Sequence, residues 1–222
     1  MKPKTNPKPT ARLILTIAAA LFTLQTTQAG PLLSPGDMAL RHDIQRLADY
    51  GVIKGPTSTW PLAWGPLMAD ISSYNRSDQL PRDIIDAITR VSAKANWEMR
   101  VDQITYNANA SIAENPTRMR SFQNTPRESA ELGGGLSYTG DRFSIVLNGQ
   151  AVDSPSDGKD FRADGSTLGV VLGNYSFSAN TLDRWWGPGW DGSLILSNNA
   201  RPMRVHFLSV AAPINRWKNP TL

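Results

Sequence analysis

The sequence predicts a mainly β chain: a partial outer-membrane antiparallel β-barrel, a meander of about six strands, preceded by a small periplasmic helical region. Three observations predict it. The chain opens with an export signal. Beyond about residue 95 the apolar period changes from 3.6 to 2. The alternating segments are joined by connections that run long, short, long, short, long, as in outer-membrane barrels.

Residues 1–29 carry Lys2, Lys4, Lys8 and Arg12, then the largely apolar run Leu13–Leu24, then Thr27-Gln28-Ala29. This is the n-region, h-region and small-residue cleavage site of a signal peptide. Twelve residues span about 18 Å as a helix, short of the roughly 30 Å hydrocarbon core. The expected divisions are 1–29 signal peptide, 30–94 periplasmic helical region and 95–222 barrel strands.

Of 23 Lys+Arg in 222 residues, four lie in that signal, and the remaining 19 match the 19 Asp+Glu. A neutral mature chain has no basic surface for nucleic acid. With no cysteine and only His42 and His206, neither a thiolate nor a His-rich metal site is expected, nor any cofactor.

In the helical region Asp37 is placed to cap a helix with Leu40, Ile44 and Leu47 on one face, stopped by Gly51. Pro56 and Pro61 interrupt the chain. Leu67 and Ile71 suggest a second helix. Leu80, Ile84, Ile85, Ile88 and Val91 set a third, with Pro81 and Asp83 suited to its first turn.

The strand signal begins with Trp97, Met99 and Val101, then shifts parity to Ile104, Tyr106, Ala108, Ala110 and Ile112, as a β-bulge would produce. Leu132, Leu136 and Tyr138 follow, then Phe143, Ile145, Leu147 and Ala151. Next come Leu168, Val170 and Leu172, then Tyr175, Phe177 and Ala179, and finally Met203, Val205 and Phe207 against Arg204 and His206. Thr139-Gly140-Asp141 and Gly173-Asn174 read as tight hairpins. The segments 114–128, 153–165 and 184–193 are long and polar. Gly133-Gly134-Gly135 lacks the Lys-Ser/Thr of a phosphate loop and fits a crowded, curved strand. A soluble β-sandwich shares the period of 2, but the faces rich in Asn, Gln, Ser and Thr favour a wet lumen. Single-chain barrels start at eight strands. Six strands therefore imply either assembly of several chains or an amino-terminal fragment of a longer barrel.

Chemistry concentrates near residue 190. Trp185, Trp186 and Trp190 fall within six positions and are accompanied by Asp183, Arg184, Asp191, Asn198, Asn199 and Arg201. Indole faces stack on sugar C–H faces, and amide, carboxylate and guanidinium groups hydrogen-bond hydroxyls. Arginine can also grip an acidic sugar's carboxylate with two N–H groups. The alternative for each Trp is packing or a bilayer-interface girdle.

The run RWWGPGWDGSLILSNNARP (Arg184–Pro202) resembles the hallmark segment of Wzi-type capsule assembly proteins, and Gly36–Leu67 is similar to that family's periplasmic helical region. The resemblance covers about residues 36 to 204. It implies an outer-membrane barrel of roughly eighteen strands, inside the known even-numbered range. It further implies a non-enzymatic, lectin-like protein that holds capsular polysaccharide at the cell surface, contacts outer-membrane lipid and is monomeric when its barrel is complete. The family's barrel continues past this motif, so a truncated gene product is expected. Two rivals remain: a sugar-selective porin, with a helical stretch loosely like a cell-wall-binding module, and a glycoside hydrolase using Asp183 and Asp191, which lack any spacing signature.

Overall fold

The computed structural model describes residues 32–74, 80–117, 119–153, 155, 157–172, 175–193 and 195–210. The signal peptide, the Gly173-Asn174 hairpin and residues 211–222 lie outside them.

Three helices form a unit with a dry core. α1 (Met38–Asp49) starts where Asp37 accepts the Leu40 N–H at 2.9 Å. It ends as Gly51, at φ +83°, turns the chain so that Val52 N–H reaches Leu47 O at 2.8 Å. α2 (Trp64–Ser73) and α3 (Arg82–Glu98) supply the rest. Leu40, Ile44 and Leu47 of α1 meet Ile84, Ile88 and Val91 of α3 in the core. Arg90 clasps Asp43 through two bonds of 2.7 Å, tying α3 to α1.

One expectation fails at the junction. α3 continues to Glu98, so Trp97 and Glu98 belong to a helix and the parity shift marks its end, not a β-bulge. Glu98 fixes that last turn by accepting Trp64 Nε1 at 2.7 Å and pairing with Lys94 at 3.2 Å.

The remaining chain builds one antiparallel sheet. Its strands are β4 (Gln103–Ile112), β5 (Ala130–Thr139), β6 (Phe143–Asp153), β8 (Thr167–Leu172), β9 (Tyr175–Asn180) and β11 (Val205–Val210). They lie in the order β11-β9-β8-β6-β5-β4, and β7 (Phe161–Arg162) adds to β6. Two-residue strands β1 (Leu32–Leu33), β2 (Thr59–Trp60), β3 (Leu62–Ala63) and β10 (Trp185–Trp186) pair β1 with β3 and β10 with β2. β4 and β11 are the sheet's two edges, and no barrel closes among the described residues.

Register aligns every face. Tyr106, Leu136 and Leu147 are cross-strand neighbours, as are Ile145, Leu168 and Ala179. Leu136 is 57% exposed, Leu147 60% and Tyr106 83%, so this face of the sheet is apolar and uncovered. The opposite face aligns Gln103, Thr139 and Ser144, and Asn109, Gly133 and Gln150. Gly135 is required there, because a Cβ would collide with the Asn148 side chain, itself bonded to Gly165 O at 2.8 Å.

The last strand corrects the expected parity. Val205 pairs with Asn180 and His206 with Ala179, so His206 lies on the apolar side and Val205 on the polar one. Further along the backbone register Leu208 pairs with Phe177 and Val210 with Tyr175. Three alternating residues at a loop exit were too few to fix the phase.

Candidate functional site

The three long segments, 113–129, 154–166 and 181–204, all leave one end of the sheet, and the hairpin 140–142 closes the other. Phe122 and Trp185 from two of these segments enter the helical core, each 0% exposed. They form an edge-on stack with Trp60, at 5.0 Å for Trp60–Phe122 and 5.7 Å for Phe122–Trp185. Meanwhile α3 delivers the chain to β4 at the opposite end, where Asp102 N–H donates to Thr139 O at 2.8 Å. Ser34 and Pro35 border the same cavity as Asn109, Ser111 and Gln150 of the polar face. The helical unit thus meets the long segments through the Trp60–Phe122–Trp185 stack and borders a cavity that the polar face of the sheet also lines.

The segment 185–190 is wound around a cation. Arg41 of α1, 3% exposed, donates from Nη2 to Pro188 O at 3.0 Å and Gly189 O at 2.9 Å. Its guanidinium lies 4.3 Å from the Phe122 ring centre and 4.5 Å from that of Trp190. Trp185 Nε1 returns to Gly189 O at 2.9 Å. Gly189 is compelled, because a Cβ would strike the Gly192 carbonyl. The glycines and proline of this run thus present carbonyls to one buried arginine.

Beside this clamp lies a cavity of about 370 Å³ under the long segments. Its charged lining is Arg120, Arg127, Arg201, Glu131, Asp164 and Asp183, and Asn109, Ser111 and Gln150 add neutral polar groups from the sheet. Arg127 pairs with Asp183 at 2.8 Å. Burial pushes the Asp183 carboxyl above its usual value despite the opposing pull of Arg127 and Arg120. Arg201 pairs with the buried Glu128 and approaches Asp164 at 3.8 Å. Arg162 binds Asp157 at 2.7 Å and reaches Glu128 at 3.5 Å, extending the network beneath segment 154–166.

The residues singled out by sequence divide into three groups. Asp183 and Arg201 line the cavity. Asn199 borders it indirectly, accepting Arg120 N–H at 2.7 Å through Oδ1. Asn198 and Arg184 are buried braces: Asn198 Nδ2 donates to Phe122 O at 3.1 Å, and Arg184 donates to Leu182 O at 2.8 Å and Asn180 Oδ1 at 2.9 Å. Trp185 is sealed in the core and offers no face for a sugar ring to stack on. Trp186 and Trp190 are half-buried, one face of Trp190 being taken by Arg41. Asp191 is exposed and does not line the cavity, so it makes no carboxylate pair with Asp183 across it.

Sequence reasoning missed Arg120, Arg127, Glu131 and Gln150. The signal available was the charge density of the segment RSFQNTPRE (residues 120–128), dense for a plain connection.

The model of the family described as capsule assembly protein Wzi matches residues 100–217, more than half of the chain. A Klebsiella pneumoniae protein described as an uncharacterized 55.8 kDa protein in the cps region is 27% identical over 213 residues, covering 93% of this chain and 41% of that one. The Wzi structure, described as an Escherichia coli outer-membrane protein involved in group 1 capsule assembly and a carbohydrate-binding β-barrel, superposes with a TM-score of 0.65. It is 26% identical, covering 82% of this chain and 40% of that one. This chain spans about two fifths of the length of both proteins. On this evidence the chain belongs to the Wzi capsule assembly family.

Proposed function

We propose that the chain forms part of an outer-membrane β-barrel that binds capsular polysaccharide at the cell surface and does not transform it. The observation that carries the reading is the polar, charge-lined cavity under the long segments, on the lumen side of a sheet whose other face is apolar. In outer-membrane barrels short turns face the periplasm and long loops face outward. By that rule α3 feeds β4 from the periplasmic end, and the cavity opens toward the outside. Residues 1–29 direct export, the region from 30 to the end of α3 at Glu98 is periplasmic, and the strands from Gln103 onward contact lipid in a monomer.

Within the site, Asp183 and Arg201 contact the glycan directly, with Trp186, Trp190 and Asp191 at its edge. Trp185, Asn198, Asn199 and Arg184 hold the scaffold. The porin alternative is opposed by the long segments, which Phe122 and Trp185 anchor in the helical core beside the cavity.

Two measurements on the complete protein in lipid test this. Retention of labelled capsular polysaccharide by proteoliposomes is expected, and it weakens in the Asp183→Asn, Arg201→Gln double variant. Planar-bilayer recordings are expected to be silent. A steady open-pore current without polysaccharide retention would reverse the assignment to a porin.

A further inference from the structure

We propose that this cavity selects acidic sugars, with Arg120 receiving the carboxylate. The inference deepens the carbohydrate-binding reading and rests on it.

The six charged groups of the cavity differ in how far each is already satisfied. Arg127 has Asp183, and Arg201 has Glu128. Glu131 is saturated. Its Oε1 accepts Arg127 N–H at 2.7 Å and Glu128 N–H at 3.0 Å, while its Oε2 accepts Gln150 Nε2 at 3.0 Å and Ser111 Oγ at 3.3 Å. Four bonds fill a carboxylate's capacity.

Arg120 is the exception among the cavity's cations. It is 7% exposed yet bonded only to neutral acceptors: Thr125 Oγ1 at 3.3 Å, Thr125 O, and Asn198 O at 3.2 Å. A guanidinium carries five N–H groups, so two remain without an acceptor among the described residues. Asp183 and Glu131 act on it through space, but neither bonds it among the described residues, and a buried cation without a directly bonded carboxylate is costly unless a ligand completes it. Burial, with Arg127 nearby, holds its pKa down to about 10, which still leaves it charged at neutral pH.

The surroundings specify more than an anion. A planar carboxylate matches the guanidinium fork. Asn109, Ser111 and Gln150 share the lining, the latter two keeping acceptor oxygens for hydroxyls beside their bonds to Glu131, and the cavity's 370 Å³ falls within the range of small-ligand sites, about 300–1,000 Å³. The fixed braces from Thr125 and Asn198 hold the guanidinium still, so little rotamer freedom is lost on binding.

The test uses the complete protein in detergent, with two probes: trigalacturonate and the trisaccharide made by reducing its three carboxyls to CH₂OH. Calorimetry is expected to show the acidic probe binding about tenfold or more tightly, the scale of a charge-assisted contact. Arg120→Gln is expected to remove that preference while leaving the weaker affinity for the reduced probe. Arg120→Lys is expected to restore part of it. The wild-type comparison of the two probes stands without any variant. Equal affinity for the two probes overturns the carboxylate assignment and leaves carbohydrate binding intact. Binding of neither probe at millimolar concentration overturns both.

Discussion

The helical unit and the sheet place their apolar residues in opposite directions. In the unit, Ile44, Leu47, Trp64 and Ile84 are 0–1% exposed and most charged side chains face outward, Arg41 and Asp43 being buried. In the sheet, Leu132, Leu136, Leu147 and Leu168 are 48–65% exposed, while Asn109, Glu131 and Gln150 turn inward. Composition does not separate the two regions, but the solvent each is built for does. The unit gains stability by removing apolar surface from water. The sheet leaves its apolar face uncovered, as the proposed contact with lipid requires.

The largest test of this contrast is Trp185→Ala. Trp185 belongs by sequence to the loop layer and by packing to the helical core, against Phe122 and opposite Trp60 in the β10–β2 pair. Its removal is expected to cost about 3–5 kcal/mol, as for other buried tryptophans. Both regions are expected to lose protection together in hydrogen exchange. If only the 181–204 segment loosens, the two regions are independent and the shared core is not what joins them.

A second test compares two exposed aliphatics. Leu136 is 57% exposed on the outer face of β5, and Ile85 is 47% exposed on α3. Leu136→Lys is expected to cost about 2–4 kcal/mol when folding is measured from urea into vesicles, the penalty for lysine near the bilayer midplane. Ile85→Lys is expected to stay within about 0.5 kcal/mol, since that side chain already faces water. Equal costs at the two positions would mean that exposure on the sheet is not exposure to lipid.

Much of this was legible because each region repeats its own period. Asp37, Gly51 and the Leu40–Ile44–Leu47 stripe fixed α1, and the alternation through Phe143, Ile145 and Leu147 fixed β6 and its faces. Periods fail where they meet or run short. At Trp97–Val101 a helix end mimicked a strand, and at Val205–Phe207 the phase came out reversed. The site was half legible. Asp183 and Arg201 stand in the Trp-rich run, but their companions Arg120, Arg127 and Glu131 come from a segment 52 to 81 positions away from them in sequence. Only the β4–β5 connection brings them close, and no spacing rule encodes a long-range contact. The tryptophans misled for a physical reason: an indole that can stack on a sugar can equally fill a core, and only burial distinguishes the two.

The smallest effect concerns how the outer layer is held down, and it turns on two carboxylates with opposite tendencies. The Arg162 guanidinium, bonded to Asp157 at 2.7 and 3.0 Å, holds the Asp157 carboxyl well below the usual range. A lowered folded pKa means that the native state favours the charged form. Its stabilisation is therefore present above the unfolded value of about 3.9 and disappears as pH falls through the folded value. Asp183 runs the other way: burial raises its pKa, so its contribution is fullest below the unfolded value and fades as pH rises through the folded one. The protection factors of the 154–166 amides, exchange rates taken relative to the unstructured rate at each pH, are thus expected to hold near neutral pH and to fall as acid is added, ahead of the helical unit, where Arg46 holds the Asp83 carboxyl low only at the surface. Asp157→Asn is expected to flatten that acid response without altering the helical amides, as read by hydrogen exchange across a pH series. If the segment and the helical unit instead loosen at the same pH, the clamp at Asp157 is not local, and the outer layer opens only when the shared core does.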